Sequence, residues 1–278
     1  MFNKKVFIYF AELIFILLAF SCNRNVREIS LQNADAPRAM PWALPVALPW
    51  AGIVSHHTLA HEYIDAWFFN LSQARSPKRF FIISPDHYNL SLDHYSLTTG
   101  SWDSGFGIVE SDIEKVLEMT RLLEVVPGEK AFEIEHGISA LIPYIKKYFP
   151  QSKVVAVVIS GGSGVNTLIA GRLAGVLEKE FDKQGKKENF LLISSDFSHN
   201  GSLEETAIND LKSEQYLRNS KNVSWNTVIC DNRYGIYILD RLGKKSMESR
   251  ILSHTNSFEI SGADKDITSY FFVYFSDK

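Results

Sequence analysis

The chain has 278 residues, 45% hydrophobic, 13% aromatic and 22% charged, with a formal net charge of −3. Core material is ample for one large domain, and with only Cys22 and Cys230 there is no disulfide framework. The absence of a basic stripe or a run of like charges argues against nucleic acid as a partner.

Residues 1–22 begin with Lys4 and Lys5, continue in a mostly apolar run and end at Cys22. That is the plan of a secretory signal peptide. The terminal cysteine makes the segment resemble a bacterial lipoprotein signal, with Cys22 as the lipidated residue. The expected location is therefore an exported domain held on the membrane through its N-terminus. An uncleaved membrane anchor and a cytoplasmic protein with an apolar start are the alternatives. Residues 23–48, with Pro37, Pro41 and Pro45, read as an extended linker whose apolar "MPWALPVALPW" can lie against the domain as an arm.

From residue 49 to 278 short apolar runs alternate with helical stretches. "WAGIV" (50–54) reads as a strand, and 59–74 puts Leu59, Tyr63, Ala66, Trp67 and Leu71 on one helical face. "RFFIIS" (79–84) reads as a buried strand. A helix follows from Ser111, with Glu114 at capping-box spacing. The stretch 138–149 is amphipathic, with Pro143 tolerable only near a first turn. Then come a strand at 153–160, a helix at 166–181 and a strand at 189–195. A helix capped by Ser202 and Glu205 follows, and a last strand at 266–276. The expected fold is a single α/β domain, a central, mostly parallel sheet with helices on both faces. "SGGSG" (160–164) fits neither phosphate-binding glycine pattern and reads as a turn.

Three of the clearest strands run into histidine. "WAGIV" is followed by Ser55, His56 and His57; "RFFIIS" by Pro85, Asp86 and His87; "NFLLISS" by Asp196, Phe197, Ser198 and His199. In open α/β sheets, ligands bind beyond the carboxyl ends of the strands. If these strands are parallel neighbours, His56, His87 and His199 converge on one rim and offer imidazoles to a transition metal. Cys230, the only cysteine of the body, is a candidate thiolate ligand. Asp196, three residues before His199, can orient that imidazole for proton transfer. Taken singly, each of these residues also has a bland reading, as a polar loop histidine or a small buried cysteine.

In this order the residues resemble the Memo family, also called AmmeMemoRadiSam system protein B, which is similar in fold to the class III extradiol (LigB-like) dioxygenases. The pieces that carry the resemblance are "GIVSHH", "IISPDH", "EHGISALIPYI", "VVAVVIS", "LLISSDFSHNG", "VICDNRYGI" and "NSFEISGADKDITSYFFVYF". The resemblance implies metal ligands at His56, His87 and Cys230, and an acid/base pair at His199 and Asp196. It implies a pocket that also includes His57, Asp86, Glu135, His136 and Ser195. Two departures stand out. The family's Pro-His-Ala-Gly is here Ser55-His56-His57-Thr58, so His57 competes with His56 as ligand. Asp231 and Asn232 stand where the family cysteine is followed by glycine and arginine.

The expectation is thus a metal site holding iron or copper, with zinc as a further candidate. It would support redox or dioxygenase-type chemistry on an unidentified small molecule or peptide. The alternative is a non-catalytic, membrane-anchored binding module that uses the same cleft. The resemblance also implies an AMMECR1-like protein and a radical S-adenosylmethionine enzyme as partners, an expectation that export of the domain would set aside.

Overall fold

A computed structural model gives the fold and describes residues 26–28, 42, 47–161, 164–243 and 246–278. The signal-like segment with Cys22 lies outside the described residues. In chain order the strands and α-helices are β1 (Val26–Glu28), β2 (Ala51–Val54), α1 (His61–Ala74), β3 (Arg79–Pro85), β4 (Tyr95–Leu97), β5 (Ser101–Asp103), β6 (Ile108–Val109), α2 (Ile113–Leu123), α3 (His136–Ser139), α4 (Ile142–Tyr148), β7 (Lys153–Ile159), α5 (Thr167–Leu177), α6 (Gly185–Glu188), β8 (Asn189–Ser194), α7 (Leu203–Arg218), α8 (Arg233–Gly243), β9 (Met247–Asn256), α9 (Ser257–Ser261) and β10 (Ser269–Asp277).

The main sheet has seven strands in the order β4-β7-β3-β8-β2-β10-β9. Its four central strands run parallel, β7 beside β3, β3 beside β8 and β8 beside β2, and antiparallel strands close both edges. The central strands read as unbroken apolar runs because both of their faces are covered. Phe81, Ile83, Val155, Val157, Leu191 and Ile193 pack with α2, α5, α7 and α8 on one face. Phe80, Ile82, Val154, Val158, Phe190 and Leu192 pack with α1 and α4 on the other. Gly52 in β2 is required by a close approach, since a Cβ there would lie 2.4 Å from the Trp67 ring of α1. Among the described residues no helix is long and apolar enough to cross a membrane.

Several expectations change in detail. The linker is not wholly free of the domain: Val26–Glu28 forms β1, pairs in parallel with β5 and completes a small three-stranded sheet, β1-β5-β6. Arg27 anchors it by donating to Thr98 Oγ1 at 3.2 Å and Glu129 Oε2 at 2.5 Å, over the rings of Trp102 and Phe132. Trp42 meets the Phe272 ring at 6.2 Å. The α2 cap is Asp112 rather than Ser111: Asp112 accepts from the Lys115 N–H, while the Ser111 hydroxyl is spent on the Gly100 carbonyl. The helix expected over 138–149 is two helices, with Pro143 in the first turn of the second, where its missing N–H is not needed. The Ser202/Glu205 capping box is present on α7.

Candidate metal centre

The parallel order β3-β8-β2 brings three strand ends side by side. His56 follows β2, His87 follows β3, and Ser195 to His199 follow β8, whose last residue is Ser194. The rings of His56 and His87 lie 4.8 Å apart, and His136 at the head of α3 sits 4.1 Å from His87 and 5.0 Å from His56.

His56 is buried, at 2% exposure. Its Nδ1 lies 2.9 Å from the Ser194 hydroxyl, and that hydroxyl donates to the Gly137 carbonyl at 2.5 Å. With its own proton spent there, Ser194 accepts from Nδ1–H, which leaves the lone pair on Nε2. His87 is fixed in the same sense. Its Nδ1 donates to Glu135 Oε1 at 2.6 Å, and its backbone N–H donates to Glu135 Oε2 at 3.0 Å. A carboxylate behind an imidazole is the usual way to orient a metal-binding histidine. Buried Glu135 also accepts from the Gly137 N–H at 2.8 Å. A Cβ at Gly137 would lie 2.1 Å from Ser84 Oγ and 3.2 Å from the His87 ring, so only glycine fits this tightly.

Both Nε2 atoms face one carboxylate. Asp231 Oδ2 stands 3.3 Å from His56 Nε2, 3.4 Å from His87 Nε2 and 3.8 Å from His199 Nε2. Its other oxygen accepts from Ser195 Oγ at 2.9 Å and from the Asp196 N–H at 3.1 Å. Asp196 Oδ1 accepts from the Ser55 hydroxyl at 2.6 Å, and its Oδ2 lies 3.7 Å from His56 Nε2. Two overlapping donor groups result, His56–His87–His136 and His56–Asp196–Asp231, each with its ligand atoms within 4.8 Å of one another. Neighbouring N and O ligands on one divalent cation, at bonds of about 2.1 Å, stand about 3.0–3.5 Å apart. The spacings of Asp231 to His56 and His87 fall in that range.

The electrostatics agree with a cation-seeking cluster. Burial works against charge on His56, but Asp196 and Asp231 outweigh it and raise its pKa. Burial is likewise outweighed at His87, where hydrogen bonds to Asp231 and Glu135 raise the pKa to about 9. Asp231 is held well below the carboxylate range, the burial cost being overcome by His56, His87 and His199. His136 moves the other way, down to about 4, through burial and the charges of His56 and His87, so it is a neutral donor.

The donor groups contain Asp231, one residue on from the Cys230 expected as third ligand. Cys230 belongs to neither donor group; it packs against the apolar layer beneath the sheet ends. Burial, with Asp231 beside it, pushes its thiol up to about 12. Asp231 reaches the imidazoles instead, and Asn232 explains why. The Asn232 amide donates to the carbonyls of Ile83 and Ser194, both at 2.8 Å, stitching β3 to β8, while its oxygen accepts from the Gly235 N–H at 2.8 Å and caps α8. That staple fixes the turn and aims the preceding side chain into the cleft.

The remaining expected residues divide. His136 and Asp196 belong to the donor groups, Glu135 and Ser195 support them through hydrogen bonds, and His199 borders them. His57 does not: its ring stacks on Tyr270, whose hydroxyl lies 3.1 Å from Nδ1. Asp86 also stays out, its oxygens accepting from the Leu90 and Ser91 N–H groups at 3.0 and 2.9 Å to turn the chain after β3. Ser194 is not singled out by the sequence, and Asp231 and Asn232 stand out there only as departures beside Cys230, not as site residues. The acid beside the cysteine was the one available signal.

Comparison with known proteins identifies relatives of the chain. The Memo-like protein profile matches residues 31–274. A MEMO1 family protein of Caldivirga maquilingensis is 28% identical over 199 residues, covering 68% of this chain and 64% of its own. One of Sulfolobus acidocaldarius is 29% identical over 244 residues, covering 83% and 81%. The solved structure of the uncharacterized protein JW3007 from Escherichia coli K12 aligns with a TM-score of 0.46 at 11% identity, over 79% of this chain and 98% of that one. Because the profile takes in the central sheet and every residue of the donor cluster, the chain belongs to the Memo-like protein family.

Proposed function

We propose that the cluster binds a divalent transition metal, iron(II) foremost, and that the metal serves redox or dioxygenase-type chemistry on a small molecule. The observation that carries this reading is Asp231 Oδ2 at 3.3 and 3.4 Å from two imidazole Nε2 atoms whose Nδ1 sides are already committed. Two histidines and one carboxylate, with positions left open, suit iron(II) in oxygen-activating proteins. With a carboxylate rather than the thiolate of Cys230 as third donor, the preference moves from soft copper(I) toward iron, manganese or zinc.

A bound iron(II) would supply a centre that takes up substrate and dioxygen together. The chain's own residues do the rest. Ser194 and Glu135 hold the two imidazoles in their ligating tautomers. Asp231 supplies negative charge, steadied by Ser195 and the Asp196 N–H. His199, half-exposed at 38% and 3.8 Å from Asp231, is the group at the mouth that can take a proton from an incoming hydroxyl.

The test is metal analysis of protein purified without oxygen. Wild type should carry close to one iron per chain. D231N should lose most of it, and C230S should keep it. An empty wild type would overturn the reading, and so would the reverse order of the two variants. Oxygen uptake by the loaded protein with a panel of dihydroxyaromatic compounds then separates an enzyme from a binder.

A further inference from the structure

Beside the cluster lies a cavity of about 250 Å³ walled by Cys230, Asp231, Arg233, Tyr234, Gly161 and Gly164, among others. It sits between the carboxyl end of β7 and the start of α8. Two features make it a place for a ligand. Asp231 belongs both to the donor cluster and to this wall, so an occupant touching the wall is next to the metal site. Arg233 brings a guanidinium with no carboxylate partner among the described residues. Its Nη2 donates to the Asn226 carbonyl at 3.1 Å, and its Nε is buried with no partner.

The remaining walls are built closely. The Tyr234 hydroxyl accepts from the Asn166 N–H at 3.0 Å, which pins the ring across the mouth of α5. A Cβ at Gly161 would lie 2.2 Å from that ring, so the glycine after β7 lets the tyrosine close the side. The Arg233 side chain is partly buried, its Nε has no partner, and the planar fork of a guanidinium matches a carboxylate in two parallel bonds. A phosphate dianion fits less well, because a single guanidinium would face two charges with Asp231 already on the same wall.

We propose that this cavity is the substrate's second foothold, receiving the carboxylate of a small organic acid on Arg233 while the rest of the molecule reaches the metal. This rests on the metal reading above. It makes Arg233 a residue that selects acids over their neutral counterparts.

The test compares 4-hydroxybenzoate with 4-hydroxybenzamide, two probes of one shape that differ in charge. Their binding to zinc-loaded protein, which is redox-silent, is read by calorimetry. Wild type should bind the acid roughly tenfold or more tightly than the amide. R233M should erase that preference with zinc content and amide affinity unchanged, and R233K should keep part of it. Equal affinities in wild type would overturn the proposal, as would a preference that survives R233M. Should R233M not fold, R233Q decides by the same criterion. If wild type takes up no metal, the metal reading fails and the same pair is titrated into metal-free protein. There an acid preference that vanishes with Arg233 still upholds the subsite, and no preference overturns it.

Discussion

Ser194 is the smallest part of the site and one of the most constrained. One hydroxyl donates to the Gly137 carbonyl and accepts from His56, so it ties the end of β8 to the head of α3 and sets the tautomer of a buried imidazole. Removing it leaves the metal-facing donors in place but frees His56 to turn or change tautomer. S194A should therefore weaken metal affinity by about 10–100-fold, the range for residues that orient ligands from behind. Its unfolding temperature should fall by a few degrees as well, because the buried Gly137 carbonyl loses its donor. Competition with a chelator gives the affinity, and nitrogen-15 shifts of His56 give the tautomer; wild-type affinity in S194A would refute this role. The histidines were legible in the sequence because each follows a run of buried apolar residues that ends where ligands gather. The choice between Cys230 and Asp231 was not legible. Adjacent residues at a turn point in different directions, and the direction here depends on Asn232 bonding two strands far away in sequence.

At the scale of elements, β1 tests how far the N-terminal segment belongs to the domain. It is three residues long and pairs only with β5, so its backbone bonds alone cannot hold it. Arg27 supplies the rest, through Glu129, Thr98 and two aromatic faces. A part-buried, charge-assisted anchor of this kind contributes about 1–3 kcal/mol to local order. R27A should leave the main sheet and the metal site intact while exposing Val26–Glu28 to limited proteolysis. Unchanged protection would show that other contacts hold the arm. The elements read most readily from sequence were β2, β3, β7 and β8, whose double burial writes itself as continuous Val, Ile, Leu and Phe. Strand β9, "MESRILSHTN", escaped because it is an edge strand with mixed exposure and no apolar run. Helix α8 carries a clear apolar face in Tyr234, Ile238 and Leu242, but it begins directly at the site turn, where attention falls on Cys230. The short strands β4 to β6 are too brief to show a period.

For the whole molecule, two ion pairs away from the metal site add to the way stability responds to acid. At Asp112 burial opposes ionisation, but the hydrogen bond from Arg79 and the Lys115 N–H outweigh it and lower the pKa below its ordinary 3.8. At Glu129 burial is likewise overcome, by Thr98, Arg27 and the Thr99 N–H, and the pKa falls below 4.5. A carboxylate with a lower pKa folded than unfolded binds fewer protons in the folded state. Its contribution is complete above the unfolded value and is lost as pH falls through the folded one. Both groups join separate parts of the fold: Asp112 links α2 to β3 through Arg79, and Glu129 holds β1 through Arg27. The share of stability these two pairs supply should hold from pH 7 down to about 5 and be lost below about 4.5, on top of what the histidines and Asp231 of the metal site contribute. In E129Q part of that acid sensitivity should disappear, since the amide cannot gain the proton that breaks the pair. The cost should then be present at every pH, as a lower plateau. A melting curve for E129Q as steep in acid as the wild type would mean that the acid response comes from other carboxylates, and that the arm is held without this charge.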